Sequence, residues 1–97
     1  MNFMVVATRM GVTSTVVREL VSGKVPMALA SRLKIKTASL QKFVDGGTSP
    51  GLARLMGCTT ANLQELRIAI GRQGAIGLLI GICIRRTEAY AEGQRAN

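Results

Sequence analysis

Four residues near the middle of the chain have side chains suited to binding a polyanion: Lys36, Thr37, Gln41 and Lys42. Lysine ammonium groups hold phosphate oxygens or guanine. A glutamine amide pairs with an adenine edge through two hydrogen bonds, and a threonine hydroxyl serves either target. Their spacing predicts that they face outward from a short helix whose inner side is Leu40 and Phe43. Lys24, Arg32 and Lys34 lie just before them, so the stretch between Leu20 and Val44 has five cations and no acid. The whole chain has 13 Lys and Arg against 5 Asp and Glu, a net charge of +8. This charge points to a polyanionic partner, with Arg32, Lys34 and Lys24 expected on the phosphate backbone. The plainer alternative is a solvated basic surface.

Other chemistries lack their residues. There is no His, the five acids are scattered, and neither Cys58 nor Cys83 has a neighbouring base in sequence. No enzyme, metal site or cofactor is therefore expected. The glycine-rich stretch after residue 70 lacks the Gly-Lys-Ser/Thr of a phosphate loop. Aromatic residues are only 3% of the chain, too few for a platform that stacks single-stranded bases. Two cysteines in apolar contexts fit a reduced, cytoplasmic setting. The N-terminus does not read as a signal peptide.

The elements that must position these residues are two short helices with a tight turn between them, spanning residues 28–46. Leu29, Ala30 and Leu33 form the inner face of the first, Ile35 follows the turn, and Gly46 ends the second. This is helix-turn-helix spacing, with the small Ala30 where the two backbones cross. The pattern occurs three times, 23 residues apart: Ala7, Ala30 and Ala53; Met10, Leu33 and Met56; Val12, Ile35 and Cys58; Val17, Leu40 and Leu63; Leu20, Phe43 and Leu66. Gly11 and Gly57 take the turn position in the outer copies and Lys34 takes it in the middle one. A recurrence of this length suits a small solenoid. Short helices joined by tight turns would produce it by packing need alone. In chain order the signals predict helices over 3–10 and 14–22, one starting at Pro26, one capped by Thr37, one starting at Pro50, and one capped by Thr59 or Thr60 that stops at Gly71.

Residues 75–84 carry no charge. Ile76, Leu78, Ile80, Ile82 and Ile84 fall at alternate positions, which reads as a strand, while Gly77 and Gly81 at a four-residue spacing suit a closely packed helix. A hairpin across residues 71–74 is a further possibility. In any of these forms the run is too apolar to face water, so these five residues are expected to meet a second copy of the chain. It is too short for an ordinary membrane span, reaching about half a bilayer as a helix.

Residues 14–70 resemble the lambda repressor/Cro-type helix-turn-helix family of phage and plasmid regulators. The resemblance rests on Leu29-Ala30-x-x-Leu33-x-Ile35-x-Thr37, on Leu40-x-x-Phe43-x-x-Gly46, on Pro50, and on Leu52-Ala53-x-x-Met56-Gly57-Cys58. Two features depart from the family pattern: the spacing from Pro50 to the next Leu-Ala pair is short, and Lys34 replaces the turn glycine. The resemblance implies that residues at the start and along the second helix face the bases. In the middle copy these are Lys36, Thr37, Ala38, Gln41 and Lys42. The matching sets are Thr13, Ser14, Thr15, Arg18 and Glu19 in the first copy and Thr59, Thr60, Ala61, Gln64 and Glu65 in the third. Glu19 and Glu65 would oppose phosphate, so electrostatics selects the middle copy.

Together these readings predict a mainly α protein: a small bundle of short helices containing a helix-turn-helix (residues 1–70), an apolar strand or helix for oligomerisation (71–86) and a polar tail (87–97). The expected function is a repressor-like regulator that reads double-stranded DNA in the major groove as a homodimer or higher homo-oligomer, with no membrane association. The expected Gln41→Ala, Lys42→Ala double variant loses specific binding and keeps its fold. Two other readings compete: a helix-turn-helix scaffold that binds another regulator, which need not keep residues 20–44 free of acids, and a small membrane-active protein, which would partition into detergent.

Overall fold

The computed structural model describes residues 1–96, and side-chain surroundings through Gly93. The described residues form a helical bundle: α1 (Phe3–Met10), α2 (Ser14–Val21), α3 (Met27–Leu33), α4 (Thr37–Val44), α5 (Pro50–Met56) and α6 (Thr60–Ala96). The five short helices surround the long sixth, which contacts each of them. Asn97, the end of the expected tail, lies outside the described residues.

The 23-residue recurrence is a structural period. Helices α1, α3 and α5 each end on a left-handed residue: Gly11 at φ 75°, Lys34 at φ 57° and Gly57 at φ 72°. In each copy the next amide reaches back to the buried alanine, Val12 to Ala7 at 3.0 Å, Ile35 to Ala30 at 3.2 Å and Cys58 to Ala53 at 3.0 Å. This is a Schellman-type cap, which satisfies carbonyls left over at a helix end and turns the chain sharply. Thr13 and Thr59 then cap the following helix through their hydroxyls, which accept from Val16 and Asn62. Lys36, at the same place in the middle copy, makes no side-chain cap.

The core is mainly aliphatic, with the aromatic ring of Phe43 within it. Met10, Val17, Leu20, Leu29, Leu40, Phe43, Val44, Leu52, Leu63 and Leu79 are wholly buried. A buried Arg67 closes the end of α4: its guanidinium donates to the carbonyls of Phe43 and Val44, both at 2.8 Å. The Phe43 carbonyl also accepts from the Gly46 N–H at 3.1 Å, and a cation there meets the negative end of the helix dipole.

Residues 75–84 are helical. Ala75, Ile76, Leu79, Ile82 and Cys83 are buried, and that spacing follows the helical period. Burying a large aliphatic side chain contributes about 1.5–3 kcal/mol, and a glycine within a helix costs about 1 kcal/mol. Three large buried residues therefore outweigh Gly77 and Gly81. The expectation that all five alternate residues meet a second chain is corrected here. Ile76 and Ile82 belong to the protomer's own core, and Leu78, Ile80 and Ile84 are half-buried against it.

The expected helix stop at Gly71 is present: at φ 70° and ψ −178° the backbone leaves the helical region, and α6 is two helical segments that meet there at a kink. The bend lets the segment after it fold back over α1. There the Thr87 hydroxyl lies 2.9 Å from the carbonyls of Met10 and Cys83, and Arg9 pairs with Glu88 at 3.2 Å. The start of the expected separate tail is thus tied to the first helix. By length and composition, Thr60–Gly93 could cross a membrane, but in this fold one side of it is covered by the short helices.

Candidate nucleic-acid interface

The turn between α3 and α4 brings together part of the sequence-predicted set. Lys34 projects from the left-handed turn residue, Lys36 occupies the N-cap position of α4, and Thr37 and Ala38 open the helix. Lys34, Lys36 and Ala38 are exposed and Thr37 is half-buried. Lys34, Lys36 and Thr37 share one shallow groove. A larger open groove of about 600 Å³ adjoins it, with Lys34, Lys36 and Arg54 around Leu33, Ile35, Pro50 and Leu55. No acid lines either groove.

Lys42 is exposed further along α4, its stem lying over Gly47. Lys24 is exposed in the loop between α2 and α3. None of Lys24, Lys34, Lys36 and Lys42 forms an ion pair among the described residues.

Two members of the predicted set face elsewhere. The Gln41 amide is taken up by the α2–α3 loop. Its Oε1 accepts from the Val25 N–H at 2.8 Å, and its Nε2 donates to the Gly23 carbonyl at 2.8 Å and to Asp45 at 3.2 Å. A side chain whose donor and acceptor are both engaged this way is not free to pair with a base edge. These bonds give Gln41 a part in holding the α2–α3 loop. Arg32 turns toward α6, where its guanidinium donates to the Thr87 hydroxyl at 2.7 Å beside Gly11.

The sequence reading missed Arg54. It is exposed on α5 next to the buried pair Leu52 and Ala53, and a close approach of α5 to the α3–α4 turn brings it to the groove. Gly51 permits that approach: a Cβ there would lie 3.2 Å from Ile35 Cγ2.

Compared with protein-family models, curated proteins and solved structures, the chain matches none.

Proposed function

We propose that the chain is a sequence-specific double-stranded DNA-binding regulator of the repressor type, and that the α3–α4 pair acts as its helix-turn-helix. The observation that carries this reading is the exposed, unpaired and acid-free group of Lys34, Lys36 and Arg54 at the turn, with Lys42 and Lys24 exposed nearby. Like charges held together without counter-ions gain most from a phosphate backbone, which releases its own condensed cations on binding. Thr37 and Ala38 at the start of α4 would meet the bases, and Lys36 and Lys42 would meet guanine or phosphate. Lys34, Lys24 and Arg54 would hold the backbone and set the register. A homodimer belongs to the proposal. It would read two half-sites about one helical turn apart, using what the half-buried Leu78, Ile80 and Ile84 leave exposed on the two flanks of α6.

The deciding experiment is a salt titration of binding to random duplex DNA, with molar mass from light scattering on the same sample. Micromolar or tighter binding that weakens steeply with salt, by a dimer, is the expected result. No binding at low salt would overturn the proposal.

The apolar floor beneath the cations favours a second reading. Leu33, Ile35, Pro50 and Leu55 would suit an acidic, amphipathic segment of another protein. Such a partner would bind with weaker salt dependence than duplex DNA, and it becomes the leading reading if the duplex fails.

A further inference from the structure

A second cleft, of about 320 Å³, opens on the other side of the α3–α4 turn, where the last turns of α6 pass it. Ser31, Arg32, Lys34, Arg86 and Tyr90 line it, over a floor of Leu33 and Cys83. Three cations therefore converge with two hydroxyl groups, and no acid lines the cleft. Arg32 is held in place by its bond to Thr87, whose hydroxyl in turn lies within reach of two main-chain carbonyls. None of the three cations has an ion-pair partner among the described residues. Cys83 supplies no counter-charge, because burial pushes its thiol up to about 11, against smaller opposing effects of Arg32 and Arg86.

The volume is at the lower end of the range for small-molecule sites, and such sites combine an apolar wall with a few convergent polar groups. Arg guanidinium groups match phosphate oxygens with paired N–H donors. The exposed ring of Tyr90 at the rim offers a flat face for a heterocycle.

We propose that this cleft binds a small organic phosphate, a phosphomonoester with a flat ring, between the α3–α4 turn and the end of α6. The site does not depend on the DNA-binding proposal. Its charges recognise the phosphate, and the exposed Tyr90 receives the ring.

The test is an amide-shift NMR titration of the full chain with adenosine monophosphate at constant ionic strength, and with adenosine as the uncharged comparison. Saturable shifts at residues 31–34, 83, 86 and 90 are expected with the monophosphate and not with adenosine. Arg86→Ala is expected to weaken the monophosphate at least tenfold, and Tyr90→Ala several-fold. Both side chains are exposed, so both variants retain the fold. Binding of short duplex DNA separates a free phosphate from a backbone phosphate: Arg86→Ala is expected to leave it within twofold. Equal shifts with adenosine, monophosphate binding that survives Arg86→Ala, or a parallel loss of duplex binding would each overturn the proposal.

Discussion

Gln41 donates to the carbonyl of Gly23 at 2.8 Å, across 18 residues of chain. One repeat later Gln64 donates to the carbonyl of Gly46 at 3.4 Å, again across 18 residues. Both glycines have left-handed φ, 102° and 109°. In each case a glutamine on the second helix of one unit fastens the glycine that joins it to the unit before. The contact is part of how successive units are held together.

The adjacent residues Gln41 and Lys42 should therefore fail in different ways. Gln41→Ala leaves the Val25 N–H and Gly23 carbonyl without these partners, in a loop where both residues are buried. A loss of about 1–3 kcal/mol in denaturant unfolding is expected. Lys42→Ala should change stability by less than about 0.5 kcal/mol, weaken duplex binding, and reduce the salt slope by about 1. A stable Gln41→Ala protein with altered base preference would return Gln41 to the reading surface.

Lys34 sets stability against binding. Its φ of 57° is a conformation that glycine adopts freely and that costs a side-chain-bearing residue about 1 kcal/mol. Lys34→Gly should raise the melting temperature by several degrees, since about 1 kcal/mol is worth about 4–8 °C in a domain of this size. The same variant should bind duplex DNA less tightly. Unchanged affinity in the stabilised variant would take Lys34 out of the interface.

Gly71 determines the course of the last helix. At φ 70° and ψ −178° it occupies a region open essentially to glycine alone. Gly71→Ala is expected to cost more than about 1 kcal/mol even though nothing surrounds the added methyl. Thermal melting followed by circular dichroism reads this directly, and an unchanged midpoint would mean that the chain can bend without that conformation.

The two cysteines should differ in reactivity. Burial raises the Cys83 thiol to about 11, so at pH 8 only about a thousandth of it is the reactive thiolate. Cys58 is half-buried. Iodoacetamide at pH 8 should modify Cys58 first and reach Cys83 only on unfolding, a difference that peptide mass mapping reports. Equal labelling of both in the native protein would contradict the packing around α6.

Helix starts and stops were legible because they are local. Gly11, Gly57, Pro50, Thr13 and Thr59 each act on the backbone within a few residues, and the structure uses each at the expected place. The repeating core positions were legible for the same reason: Ala7, Ala30 and Ala53 recur at a fixed spacing and are buried in each copy. Residues 75–84 were ambiguous because their alternation of large and small side chains fits two periods at once. Only the helices around them decide which residues are buried.

The sequence by itself determined a mainly α chain of short capped helices in three like units, with an acid-free cationic stretch on the middle one. Tertiary structure decided where the polar side chains go. Gln41 is drawn into a loop 18 residues away, Arg32 is turned to Thr87 55 residues away, and Arg54 is carried to the α3–α4 turn. Helical periodicity assigns a residue to a face of its own helix. What stands opposite that face, and whether it satisfies the side chain's hydrogen bonds, is settled only when distant segments meet.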